Sequence, residues 1–178
     1  MKAPVLIVPG IGNSGPDHWQ TLWEAADGSL VRIRVNHWDQ PNCADWVKAI
    51  DDQARKAGES LVVVAHSLGC LAFVHWAAKH RQSIRGALLV AVPDPGGANF
   101  PTQAEGFSSI PSVRLPYRTV VDSSQDDPYG SPAYANACAA TLGSTFVNIG
   151  RAGHISGASK LGAWAAGLKL LDELRLCA

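Results

Sequence analysis

Apolar positions along this chain follow two rhythms. Short aliphatic and β-branched runs recur at 5–8, 31–35, 61–65, 87–92, 119–122 and 145–149, and runs of this length and composition read as strands. Between them the segments 17–26, 44–56, 68–80 and 132–142 have helical character, and 160–174 follows the last run. In 44–56, Trp46, Val47, Ile50 and Ala54 recur at helical spacing and leave Lys48, Asp51, Asp52 and Arg55 for solvent, with Asn42 or Asp45 as the cap. In 160–174, Leu161, Trp164, Leu168 and Leu171 share one stripe, which predicts a helix closing a sheet edge. Alternating strands and helices imply an α/β fold of about six mostly parallel strands with helices on both faces. The segment 93–116 breaks the rhythm with five prolines and the pair Gly96-Gly97. It reads as an irregular rim over a pocket or as a surface crossover with a short helix near 103–107.

Composition narrows the class. A chain of 178 residues fits a single domain, 1–178, and 47% hydrophobic against 17% charged residues supplies a folded core rather than extended disorder. Zero formal net charge without a dense basic run removes the footprint that nucleic-acid binding needs. No run approaches the ~18 apolar residues of a membrane span, and the first nine residues lack the pattern of a signal peptide. Cys43, Cys70, Cys138 and Cys177 form no C-x-x-C pair, so reduced thiols in a cytoplasm are expected. The histidines and aspartates show no metal-ligand spacing. Neither a metal nor a cofactor is called for, and a protein partner stays undefined.

The chemistry centres on Ala65-His66-Ser67-Leu68-Gly69, which ends the third apolar run and opens a helical segment. A serine on a strained strand-to-helix turn, flanked at two positions either side by small residues, is a nucleophile elbow. Alanine replaces the usual first glycine, so a methyl group must fit where a hydrogen normally sits. A serine hydroxyl needs a base within hydrogen-bond reach and a third group to orient that base. The elbow's usual chain order is serine, acid, histidine. Asp126 and Asp127 follow the fifth run and His154 the sixth, both at carboxyl ends of predicted strands. Spacing alone does not choose between the two aspartates. The developing oxyanion needs two N–H donors, assigned to Leu68 and to the Gly-rich loop after the first run, with Ile11 first and Gly12 next. That loop lacks a Walker lysine and an acidic ribose ligand, which argues against phosphate binding.

Candidate pocket residues are Gly12, Asn13, His18, Trp19 and His66, with His37 a further possibility and Trp38, Phe100 and Phe107 as possible walls. His66 is read as supporting structure that points away from Ser67. His75 and His80 lie too far along the next helix to reach it, and Cys70 there is a packing residue.

Four motifs in order carry a resemblance across nearly the whole chain: Val8-Pro9-Gly10 with Asp17-His18-Trp19, the Ser67 elbow, Asp126-Asp127-Pro128-Tyr129, and Ala152-Gly153-His154-Ile155 with Gly162-Ala163-Trp164. The chain resembles the small serine hydrolases related to retinoblastoma-binding protein 9 and bacterial YdeN, a compact α/β-hydrolase branch without a large cap domain. The resemblance implies a triad of Ser67, Asp127 and His154, choosing the second aspartate. It implies esterase or peptidase-like activity. The leading expectation is a carboxylesterase acting on small or short-acyl esters through an acyl-enzyme. Amide or peptide hydrolysis by the same triad, or a hydrolase-like scaffold that binds a partner, are the alternatives.

Overall fold

The computed structural model describes residues 2–80, 82–107 and 110–176. Strands β1 (Val5–Val8), β2 (Leu30–Arg32), β3 (Val62–His66), β4 (Gly86–Val90), β5 (Arg118–Ser123) and β6 (Thr145–Asn148) form one sheet in the order β2-β1-β3-β4-β5-β6. All neighbouring pairs are parallel. The helices are α1 (Trp19–Ala26), α2 (Cys43–Ala57), α3 (Leu68–Lys79), α4 (Pro132–Leu142) and α5 (Ala165–Leu176).

Because side chains alternate along a strand, each strand feeds two cores. Leu6, Val8, Val63, Ala65, Leu89 and Val121 pack with α2, α3 and α4. Val5, Ile7, Val62, Val64, Leu88 and Val120 pack with Trp19 and Trp23 of α1 and Leu171 and Leu174 of α5. Burial on both faces explains why the inner runs at β1, β3 and β4 are apolar throughout rather than alternating, whereas the edge strands β2 and β6 are partly exposed. The chain winds outward in both directions from the neighbours β1 and β3, so the loops after these two strands diverge and leave a crevice.

Several boundaries differ from the sequence reading for local reasons. The fourth strand stops at Val90 because Ala91 turns to φ 56°. Residues 103–107 form no helix; Glu105 instead bridges Asn42, accepting from Cys43 N–H (2.9 Å) and donating its own N–H to Pro41 O (3.0 Å). The last helix begins at Ala165, since Lys160, Gly162 and Trp164 have φ of 53°, 56° and 40°, values a helix does not pass through. It lies over β3 and β4 in the middle of the sheet, not at an edge. Asn42, not Asp45, caps α2. Cys43, Cys70 and Cys138 are buried free thiols, and Cys177 lies outside the described residues. No helix among the described residues is long and apolar enough to cross a membrane.

Candidate active site

Ser67 occupies the single residue between β3 and α3 at φ 52° and ψ −125°, a conformation that costs an L-residue on the order of 1–3 kcal/mol and persists only where its surroundings impose it. Those surroundings are visible. The Ser67 N–H donates to Val90 O (2.9 Å), and a Cβ on Gly69 would collide with the carbonyl oxygens of Val8 and Pro9. A Cβ on Gly10 would stand 2.9 Å from the Ser67 Cβ, so the β1 loop presses backbone directly against the serine. Ala65 is buried without exposure, its methyl accommodated in the core.

His154 lies beside Ser67, its Nε2 2.8 Å from Oγ. Its Nδ1 is 2.8 and 2.9 Å from the two carboxylate oxygens of Asp127. A carboxylate only accepts, so Nδ1 carries the proton and Nε2 is left to accept from the Ser67 hydroxyl. The Asp127 side chain is 1% exposed and also accepts from Tyr129 N–H (2.9 Å). The Tyr129 ring flanks the His154 ring at 4.6 Å.

Asp126 faces elsewhere. It accepts from Gly153 N–H (2.8 Å) and Ser124 Oγ (2.9 Å), and the Gly153 bond, with Ser124 and Arg151, holds its carboxyl below the ordinary range. It thereby ties the β5 loop to the His154 loop without touching the imidazole. The adjacent aspartates thus divide between a buried carboxylate on the histidine and a loop tie.

The Leu68 N–H opens α3 ahead of the helical ladder. The Gly12 N–H is engaged by Trp38 O (3.0 Å), whereas the Ile11 N–H has no partner among the described residues. Of the two sequence candidates for a second donor, only Ile11 is therefore available.

A cleft of about 430 Å³ opens over Ser67 and His154. Of the sequence candidates, Asn13, His18 and His66 line it, and Gly12 and Trp19 do not. Trp19 is core: its Nε1–H donates to Ile155 O (2.8 Å) and its ring contacts Trp23 and Trp164. Trp38 stands edge-on to Trp46, Phe107 is fully buried against the same ring, and Phe100 packs on the core, so none of these is a wall. His37 is exposed outside the cleft. The opposite wall is formed by Pro93, Asn99, Pro101 and Gln103 of the proline-rich crossover, with Tyr129. The crossover's punctuation signalled a rim; its individual lining residues carried no separate signal.

His66 donates from Nε2 to the His154 carbonyl (2.9 Å), which anchors the histidine loop from below. Burial, with His154 and His18 nearby, holds the His66 imidazole well below its ordinary range. His18 caps α1, its Nδ1 accepting from Gln20 N–H (3.2 Å), and burial together with Arg32 and His154 lowers it to about 4. Both flanking rings are thus uncharged near neutrality. Near the end of β5, Asp122 is fully buried, and burial raises it to about 7 against a smaller opposing effect of the Ser123 N–H. His80 pairs with Asp51 at 3.1 Å, away from the cleft. Among the described residues no cluster of three or more His, Cys, Asp or Glu is placed to hold a metal ion.

The family model described as Serine hydrolase matches residues 5–173. A YdeN-like hydrolase from Pectobacterium atrosepticum is similar at 31% identity, with 97% of this chain and 90% of that chain covered and a TM-score of 0.85. The YdeN protein of B. subtilis is 20% identical over 96% of this chain and 97% of its own, with a TM-score of 0.81. A thermophilic esterase from Thermogutta terrifontis has the same fold at 20% identity, covering 97% of this chain and 90% of that chain, with a TM-score of 0.66. A search of curated proteins finds no match.

Proposed function

We propose that this chain, which belongs to the serine hydrolase family, hydrolyses small neutral carboxylic esters through an acyl-enzyme on Ser67. The observation that carries the reading is the continuous relay from Ser67 Oγ through His154 Nε2 (2.8 Å) and Nδ1 to Asp127 (2.8 Å). Ser67 Oγ attacks the ester carbonyl as its proton passes to His154 Nε2. The Asp127 carboxylate stabilises the imidazolium and fixes its tautomer. The N–H groups of Leu68 and Ile11 receive the oxyanion, each such donor being worth about 3 kcal/mol in the transition state. On collapse, the alcohol leaves with the proton from His154. Water then attacks the acyl-enzyme by the same route, returning carboxylic acid and free Ser67. A cleft of about 430 Å³ suits a small or short-acyl substrate. A cytoplasmic setting is part of this reading, since Cys43, Cys70 and Cys138 are buried free thiols.

Intact mass after exposure to a fluorophosphonate, with mapping of the adduct, tests the nucleophile. Stoichiometric labelling at Ser67, absent in Ser67→Ala, is expected. A folded protein that stays unlabelled would instead be a scaffold. Turnover of an aryl ester tests the acid: Asp127→Asn is expected to cost about 10⁴-fold in kcat. Asp126→Asn, removing only a loop tie, should cost much less. Equal losses would overturn the assignment of Asp127.

A further inference from the structure

The β1 loop fixes one polar side chain of the cleft more firmly than its neighbours. Asn13 sits at φ 64°, in the left-handed region that asparagine tolerates better than most residues. Its Oδ1 accepts from Ser14 N–H (2.7 Å) and from Arg32 Nη1 (2.8 Å). Two donors converging on that atom make it the oxygen, so the other end of the carboxamide is the NH2. Arg32 is itself held, by Ser14 O (3.1 Å), Thr21 Oγ1 (2.9 Å) and Glu24 (2.8 Å), with a side chain only 15% exposed. A guanidinium on the amide oxygen polarises the amide N–H bonds and strengthens them as donors. The Nδ2 has no acceptor among the described residues, while Asn13 lines the cleft beside Ile11 and Ser67. Among the described residues no Lys, Arg, Asp or Glu lines that cleft, so a charged ligand group would meet no counter-ion from them.

We propose that Asn13 Nδ2 donates to an uncharged acceptor oxygen in the acyl part of the substrate, making it a specificity-determining residue, with Arg32 as the positioning residue behind it. The substrate class is then esters whose acyl chain carries an ether, hydroxyl or carbonyl oxygen near the scissile carbonyl. The acyl side is indicated because Asn13 lies two residues beyond Ile11, whose N–H has no other partner among the described residues and serves the carbonyl oxygen in the proposed mechanism. The inference rests on that reading of the cleft.

The test compares p-nitrophenyl methoxyacetate with p-nitrophenyl butyrate, acyl groups of nearly equal shape in which one ether oxygen replaces a methylene. The ratio of their kcat/KM values is divided by the ratio of their alkaline hydrolysis rates, which removes intrinsic reactivity. The wild-type quotient is expected to exceed one by about tenfold, the worth of one neutral hydrogen bond. Asn13→Asp keeps an oxygen for Ser14 and Arg32 but removes the donor, and should bring the quotient to one or below. Asn13→Gly, which accepts the backbone conformation and lacks the side chain, should bring it to one. Arg32→Gln should lower it as well; an unchanged quotient there would overturn the positioning role. A wild-type quotient near one, or variants that keep the wild-type value, would overturn the proposal. Fluorophosphonate labelling of Ser67 in the same samples separates the two layers: labelling without selectivity sinks only the role of Asn13, and absence of labelling in folded wild type sinks the reading of the site.

Discussion

The two walls of the cleft are built differently. The β1 wall, from Gly10 to His18, is tied inward: Gln20, fully buried, reaches Val64 O (3.2 Å) and accepts from Ser14 Oγ (2.6 Å), Arg32 spans the loop, and Gly10 lies against Ser67. The crossover wall, from Pro93 to Gln103, is tied at fewer points and toward neighbouring loops. Asp94 N–H donates to Tyr129 O (2.8 Å), Asn99 Nδ2 donates to Pro128 O (2.8 Å) and Glu105 bridges Asn42, while the Asn99 and Gln103 side chains stay exposed. Groups that must meet a reacting atom need positions fixed to fractions of an ångström. Groups that only bound a substrate do not. In the proposed reading, the contrast assigns the fixed groups, the reacting ones and the Asn13 donor alike, to the first wall and the bounding of acyl size to the second.

The sharpest way to break that comparison is Gly10→Ala. The new methyl would start 2.9 Å from the Ser67 Cβ and 3.4 Å from Oγ, so either the serine or the loop must shift. A shift at that point moves the Ser67 hydroxyl, the proposed nucleophile, relative to both His154 and Ile11, and kcat is expected to fall by about 100-fold, a typical cost of a displacement approaching 1 Å. Stopped-flow measurement of acylation checks it. A wild-type rate would mean that the inner wall is softer than its contacts imply.

The next effect is on stability and follows from the buried, uncharged state of the inner wall. The native His18 titrates at about 4 and an unfolded histidine at 6.5. Between these values the unfolded chain binds a proton that the native one does not, so stability is lost as pH falls from 6.5 toward 4, on the order of 3 kcal/mol for this residue over the whole window. His66, lowered further, adds to the same trend. Asp122 opposes it: a native carboxyl at about 7 against 3.8 holds its proton where the unfolded one has released it, so its contribution falls as pH rises through that range. Two groups outweigh one, and wild type should weaken on acidification. His18→Asn retains a capping oxygen for α1 and removes one of the two. Urea unfolding at pH 6.5 and pH 5 should show about 1.5 kcal/mol less acid sensitivity in the variant. Equal sensitivity would mean that His18 is not held neutral.

How much of this was legible in the chain follows the same division. The strands, the elbow and the order Ser67, Asp, His154 are written locally, because a buried parallel strand must be apolar and a tight turn must have small neighbours. Asp126 and Asp127 could not be separated by spacing, since both follow β5 and their difference lies in which meets the imidazole and which meets Gly153 N–H. The tryptophans misled for a related reason. A ring beside a functional loop can face the cleft or the core, and Trp19 faces the core because its indole N–H meets Ile155 O, 136 residues away. The start of the last helix was lost to three successive left-handed turns, two of them at Lys160 and Trp164, residue types that give no warning of such a conformation.

The smallest effect is the most discriminating. Gln103 lines the cleft, is exposed, and makes no side-chain hydrogen bond among those of the described residues. Gln103→Ala should leave stability within about 0.5 kcal/mol. It removes contact with bound substrate alone, in ground state and transition state alike, so any change belongs in KM, by about threefold or less, with kcat and the rate of Ser67 labelling kept. A tenfold fall in kcat would place this rim residue in the reacting geometry and dissolve the distinction between the two walls. An unchanged kcat with a KM that shifts by different factors for short and bulky acyl groups would show the crossover bounding acyl size, while the tied wall holds the groups that must be fixed in place.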